Sequence, residues 1–289
     1  MPVIGERYRI SLERIMVTTD FSPAANLAVR YAAALARRFD ATLDLVNVLD
    51  LGMNGSDIGG GAMPLDRIAH GNAEELRHQA RQLEGVRMEE ALLTSFSVVD
   101  AILIHANETN PQLIVLATAS KHGLGKLVLG STAEQIFRRA SVPVLTVGPK
   151  AKEPEATGFH FRNIVYAASH SEESRKAATF AYAFAQDSGA HVYVAHVIPE
   201  SEQPHENSEE QAKQALERLV PPGVTDWCTP ECVIEHGNAP EAILAIAERV
   251  NADLIVLGPR EESFALKYLK TGMTPQVLAA ASCPVMTVR

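Results

Sequence analysis

The chain has 289 residues, and at roughly 150 residues per domain this length predicts two domains. An apolar fraction of 46% and a charged fraction of 21% are ordinary for a globular protein and exclude wholesale disorder. With 26 basic against 35 acidic residues the net charge is −9, which excludes a general nucleic-acid binder.

No uninterrupted apolar run approaches the roughly 20 residues that span a bilayer, so no membrane partner is expected. The amino end carries Glu6, Arg7 and Arg9 without a continuous apolar core and does not read as a secretory signal. Three cysteines, Cys228, Cys232 and Cys283, are too few and too scattered for a disulfide framework, and they point to a reducing cytoplasm.

In chain order, Ile15 to Thr19 reads as a first strand. Ser22-Pro23 then supplies a helix cap followed by proline at the first helical position. Leu27, Tyr31, Ala34 and Leu35 give that helix an apolar face. A second strand covers Thr42 to Leu49. Gly52, Gly55, Gly59, Gly60 and Gly61 make Leu51 to Pro64 a loop, because regular structure there would carry a large entropic cost. A helix over Asp66 to Leu83 and a strand over Met88 to Leu93 follow. A third helix starts near Asp100 with Ile102, Leu103 and Ala106 on its apolar side. Leu113 to Ala117 is a fourth strand, a helix follows Gly130-Ser131 with Ala133, Ile136 and Phe137 facing inward, and Val144 to Val147 is a fifth strand. Strands alternating with helices predict a parallel sheet covered on both faces, an α/β fold.

The plan then repeats. Ser141-Val142-Pro143-Val144-Leu145-Thr146-Val147 and Ser282-Cys283-Pro284-Val285-Met286-Thr287-Val288 stand 141 residues apart. The same offset superposes Gln112-Leu113-Ile114-Val115-Leu116 on Asp253-Leu254-Ile255-Val256-Leu257, and Asp100-Ala101-Ile102-Leu103 on Glu241-Ala242-Ile243-Leu244. The amino ends match at 149: Ile15-Met16-Val17 with Ser22 against Ile164-Val165-Tyr166 with Ser171. The extra residues of the first half fall in the glycine-rich loop. The expected domains are therefore 1–148 and 159–289, joined by a linker at about 149–158 that contains Pro149, Lys150, Lys152, Glu153 and Pro154. Val144 to Val147 and Val285 to Val288 would each leave an apolar edge, so intramolecular pairing of the two domains through these end strands is expected. A homodimer of whole chains stays open.

In an open parallel sheet a ligand sits beyond the carboxyl ends of the strands, where the strand order reverses. For the order 3-2-1-4-5 that point lies between the first strand, ending Thr18-Thr19-Asp20, and the fourth, which runs through Ala117-Thr118-Ala119-Ser120-Lys121-His122 to Gly130-Ser131-Thr132 at a helix start. An acid opposite such a loop suits a nucleotide: the acid accepts hydrogen bonds from base or ribose, while loop amides and the helix end hold phosphates. Lys121 and Lys126 could neutralise phosphate, and no catalytic role is expected of His122. Asp20 would otherwise cap its turn, and Ser131 and Thr132 would otherwise be ordinary helix caps.

Thr19-Asp20-Phe21-Ser22, the stretch Gly123 to Thr132 and Val142-Pro143-Val144-Leu145 together resemble the universal stress protein family, in two copies over nearly the whole chain. The resemblance implies two Rossmann-like domains of the adenine-nucleotide α-hydrolase-like type, each with five parallel strands. It also implies, in nucleotide-binding members, a loop of the form G-x2-G-x9-G-[ST] and an aspartate at the end of the first strand. Gly130 and Ser131 match the closing pair and Asp20 matches the aspartate, whereas Ala117 and Ser120 stand where glycines are expected. In the second half Gly258 matches, but Glu261 takes the second glycine position, Thr271-Gly272 replaces the closing pair and Ser169 replaces the aspartate. Glu262 and Lys267 align with Lys121 and Lys126.

The expected function is that of a cytoplasmic stress-response binding protein that senses ATP or ADP through its first domain, at Thr19, Asp20, Ala117, Ser120, Gly130, Ser131 and Thr132. The alternative is a ligand-free interaction scaffold with a degenerate site. No G-x-S-x-G elbow, G-x4-G-K-[ST] loop or acid placed to activate water is present, so an enzyme is not expected. Cys228, Cys232 and His236 recur every four residues and on a strand would face one way. A metal site needs about four ligands, and no fourth is spaced with them. The charge run Glu206 to Glu210 reads as the solvated start of a helix.

Overall fold

The computed structural model describes residues 10–54, 65–118, 129–155, 158–169, 171–200, 208–259 and 272–289. It divides the chain into two compact units, one built on residues 11–149 and the other on 160–289.

In the first unit β1 (Arg14–Thr18), β2 (Thr42–Asp50), β3 (Arg87–Ser95), β4 (Leu113–Ala117) and β5 (Val144–Val147) take the order β3-β2-β1-β4-β5. All four pairings are parallel, with Val17 opposite Leu45 on one side and Val115 on the other. The second unit repeats this with β6 (Asn163–Ala167), β7 (His191–Ile198), β8 (Thr229–His236), β9 (Leu254–Leu257) and β10 (Val285–Thr287) in the order β8-β7-β6-β9-β10, again parallel throughout. Sequence and structure agree on the α/β class, the five strands per unit and their order. The outer strands β3 and β8 are the most exposed and carry Arg87, Glu89, Glu90, Glu231 and Glu235, the charge that keeps an edge from pairing with other chains.

The helices begin where the side chains dictate. Ser22 caps α1 (Pro23–Phe39) by accepting from the Ala25 amide at 3.2 Å, and Asp40 closes it in the left-handed conformation. Short α2 (Leu51–Asn54) is a correction: the glycine-rich segment starts with one helical turn, nucleated where the Asp50 carboxylate accepts from the Gly52 amide at 2.8 Å. The rest of that segment lies outside the described residues. Then come α3 (Leu65–Arg81), α4 (Val98–Thr109), capped by Ser97, and α5 (Ser131–Arg139). The second unit has α6 (Glu172–Ser188), α7 (Ser208–Glu217), α8 (Ala239–Arg249) and α9 (Met273–Ala280), with Ser171 and Asn238 capping α6 and α8. Glu209 and Glu210 of the charge run are exposed in the first turn of α7, where acids suit the helix dipole.

The repeat extends to polar detail. The Gln112 side chain accepts from the Glu13 and Arg14 amides at 2.9 and 2.8 Å, starting β1 beside β4. Asp253 does the same for Arg162 and Asn163 at 2.9 and 3.0 Å. The linker packs on α1: Glu153 pairs with Arg30 through two contacts of 2.5 and 2.6 Å, and Phe159 meets the Tyr31 ring edge-on at 5.7 Å.

One ionic feature is not repeated. Asp44, in the middle of β2 and only 1% exposed, lies 2.9 Å from His105 of α4. Its β3 neighbour Glu89 pairs with Arg14 at 2.5 Å. Burial raises the Asp44 carboxyl above the ordinary carboxylate range, with His105 and Arg14 opposing. The corresponding second-unit residues are Tyr193 and Ile246, which carry no charge. A carboxyl raised in the folded state contributes stability that is present below its unfolded value and lost as pH rises through the folded one. Asp44→Asn should therefore gain stability relative to the unaltered protein as pH rises above about 4, the ordinary aspartate value. Urea unfolding at a series of pH values upward from about 4 checks this, and a constant difference between the two proteins refutes it.

Candidate functional site

The carboxyl ends of β1 and β4 lie side by side at the point where the strand order reverses, and the chain on each side is held by its own polar atoms. The Thr19 amide donates to the Val46 carbonyl at 2.9 Å, a last bond beyond the β1–β2 ladder. The Thr19 hydroxyl oxygen accepts from the Phe21 amide at 3.1 Å, and Asp20 Oδ1 accepts from the Ser22 amide at 3.0 Å. Together these bonds hold Phe21 at φ 61°, a left-handed conformation that costs a non-glycine residue about 1–2 kcal/mol. Thr19 is buried, but Asp20 is exposed, with its turn bond made by one oxygen. The turn-capping role open to Asp20 in the sequence is thus real, and it leaves the carboxylate facing outward.

Across the reversal point, Ala117 ends β4 and is half-buried; Thr118 follows, buried, with its amide on the Val147 carbonyl at 3.1 Å. Gly130, Ser131 and Thr132 reappear at the start of α5. Here the structure corrects the sequence reading: Gly130, and neither hydroxyl, is the N-cap, and no side chain caps the helix. Ser131 is the first helical residue and is exposed. The amide donors of this first turn have no side-chain acceptor among the described residues, the arrangement that favours an anion. Ser120, Lys121, His122 and Lys126, and on the other side Glu261, Glu262, Lys267 and Thr271, lie outside the described residues.

The second unit builds the same corner differently. Ser169, at the aspartate position, accepts weakly from the Ser171 amide at 3.4 Å, so a hydroxyl makes the turn that Asp20 makes in the first unit. Tyr166, fully buried in β6, reaches up to the first turn of α6, its hydroxyl 2.7 Å from the Ser174 carbonyl and 2.8 Å from the Ser174 hydroxyl. Ser174 Oγ also accepts from the Ser169 amide at 2.8 Å. Val17 occupies the Tyr166 position in the first unit and makes no such bond. At Gly258 an added Cβ would lie 2.4 Å from the backbone of Glu173 and Ser174. The glycine that matched a phosphate-loop position is thus required by the close approach of α6. Ala117 carries a methyl group at the equivalent place, so the first-unit gap is at least that wide.

Some contributors were missed in the sequence. Asn47, buried in β2, donates to the Thr19 carbonyl at 2.8 Å and accepts from Asn72 of α3 at 3.0 Å; Gln79 of the same helix donates to Asn26 of α1 at 2.6 Å. The available signal was a lone amide inside the apolar run Leu45-Val46-Asn47-Val48, aligned with His196 at the 149-residue offset. Cys232 and His236 lie four apart in β8 and share its face, but Cys228 precedes the strand and is buried, while His236 ends it, exposed and 2.7 Å from Glu209. Burial pushes the Cys228 thiol up to about 11 and that of Cys283 to about 12. No helix among the described residues is long and apolar enough to cross a membrane.

These features define a class: a tandem repeat of a Rossmann-like α/β domain with an all-parallel five-stranded sheet. The family model for the universal stress protein family matches residues 11–148 and again 160–289, and the chain belongs to that family. Universal stress protein MJ0531 of Methanocaldococcus jannaschii is 27% identical over 145 residues, covering 49% of this chain and 85% of that protein. A Staphylococcus aureus (strain USA300) protein named for the same family is 31% identical over 144 residues, covering 48% and 85%. Among solved structures, a universal stress protein from Archaeoglobus fulgidus superposes with a TM-score of 0.74 at 19% identity, covering 98% of this chain and 97% of that one. A Pseudomonas aeruginosa PAO1 protein of unknown function gives 0.65 at 18% identity, with 96% and 92% covered.

The close approach at Gly258 is directly testable. Gly258→Ala forces backbone apart and should cost about 1–3 kcal/mol, whereas Tyr166→Phe should cost about 1 kcal/mol for its lost buried hydrogen bond. Chemical denaturation of the two variants checks both. A Gly258→Ala protein as stable as the parent would refute the packing described.

Proposed function

We propose that this protein acts in the stress response as a cytoplasmic binding protein, taking up ATP or ADP reversibly at the reversal point of its first unit. The observation that carries this reading is the uncapped start of α5 at Gly130 and Ser131, in a unit whose first strand ends in the exposed Asp20. Helix-end amides suit phosphates, and a carboxylate at the strand end suits the hydroxyls of a ribose. Thr132 and the methyl group of Ala117 would line the space between them. Membership of the family supports the stress-response role, and reduced cysteines support the compartment.

The second unit serves in this reading as a structural or regulatory partner. Tyr166, Ser174 and Gly258 fill its corner with the protein's own atoms, and a hydroxyl replaces the acid. Turnover is not part of the proposal, because general acid–base catalysis needs a group of suitable pKa within hydrogen-bond reach of the reacting phosphate. Threonine and serine hydroxyls do not supply one.

Native mass spectrometry of freshly purified protein, followed by calorimetric titration with ATP, ADP and AMP, tests this. One nucleotide per chain is expected. Asp20→Ala should weaken binding, and Ser131→Ala should cost about 1–2 kcal/mol for one lost phosphate hydrogen bond. Two nucleotides per chain would refute the asymmetry. No heat at millimolar ligand would replace this reading with that of a ligand-free interaction scaffold.

A further inference from the structure

We infer that Asn47 is the positioning residue of the first-unit site, fixing the strand-end loop so that Asp20 is presented to the ligand; this rests on the nucleotide reading above. Asn47 is 4% exposed and, among the described residues, is hydrogen-bonded to the loop through the Thr19 carbonyl. Every polar atom of Thr19 is engaged: its amide on Val46, its hydroxyl oxygen on the Phe21 amide, and its carbonyl on the Asn47 side chain. The carbonyl is the one that would otherwise be orphaned. Pairing of β1 with β2 ends at Thr18 opposite Val46, so the ladder has no donor for it, and a buried carbonyl without a donor is unfavourable. Asn47 fills this vacancy, and its own carbonyl oxygen is tied by Asn72 to α3, which fixes the amide orientation. Thr19 is thereby immobilised immediately before Asp20, and the left-handed Phe21 follows without slack.

The second unit supplies an independent instance of the same device. His196 stands at the position of Asn47, 149 residues on, and its Nδ1 lies 3.1 Å from the carbonyl of Ala168, the counterpart of Thr19. The Ala168 amide bonds the Ala195 carbonyl at 2.7 Å as Thr19 bonds Val46. An amide and an imidazole share no shape, but each presents an N–H at that point. What the position requires is a donor to the strand-end carbonyl.

The test uses the full chain with Asn47→Asp, which keeps the shape and loses the donor, and Asn47→His, which borrows the second unit's solution. Nucleotide affinity by calorimetry is combined with a double-mutant cycle against Asp20→Ala, and with amide hydrogen exchange at Phe21 and Ser22. Asn47→Asp should weaken ATP binding about tenfold, speed exchange at those two amides while leaving the middle of α1 unchanged, and add no further loss to Asp20→Ala. Asn47→His should restore affinity and exchange. Losses that multiply in the cycle, or exchange that rises throughout the unit, would reduce Asn47 to a general stabilising role and overturn the inference. Should Asn47→Asp fail to fold, Asn47→Ala removes the donor without adding a charge and gives the same readouts. If the parent protein takes up no ATP, the nucleotide reading fails separately, and the anchor then stands or falls by the exchange at Phe21 and Ser22 alone.

Discussion

A parallel strand cannot hand its chain to its neighbour by a tight turn, so each strand must end in a loop that climbs onto a helix and returns from the opposite end of the sheet. In each unit this constraint falls hardest on the central strand, β1 or β6, which is paired on both sides. Its amino end is started by a side chain just ahead of one neighbouring strand, Gln112 or Asp253, and its carboxyl end is stopped by one within the other neighbour, Asn47 or His196. The loop between these strands and their helices is where a ligand can reach exposed backbone, and its shape follows from how the central strand ends.

The two units show how one frame yields two different corners. Where the first unit has valine and alanine, the second has tyrosine and glycine. The tyrosine hydroxyl and the missing methyl group together draw the helix start of α6 onto the sheet. Phosphate-loop glycine and packing glycine are the same residue type serving opposite ends: one opens a backbone to a ligand, the other closes it against its own chain. The lack of room for a Cβ at 258 separates them.

The frame itself was legible in the sequence because it rests on periodicity and repetition. Leu113 to Ala117 and Val144 to Val147 match their strands to the residue, and the constant offsets disclose the duplication. What escaped were interactions between residues far apart in sequence. Nothing in Leu45 to Val48 announces that Asn47 will meet Thr19, nor does the run around Asp44 announce His105. Ser131 reads as a cap in the sequence for a local reason: Gly-Ser-Thr permits the helix to be capped at any of three residues, and the backbone caps it at Gly130, with Ser131 as the first helical residue. Periodicity of four misled at Cys228, because the strand begins one residue too late to include it.

The buried sulfurs carry a consequence for how this protein meets oxidants. Peroxides attack thiolate, and with values near 11 and 12 only about one molecule in a thousand or fewer carries that anion at Cys228 or Cys283 near pH 8. Burial of both sulfurs slows access further. These two cysteines are therefore built to pass through an oxidative burst unmodified, which leaves the half-buried Cys232 as the one thiol of the chain within easier reach of an oxidant.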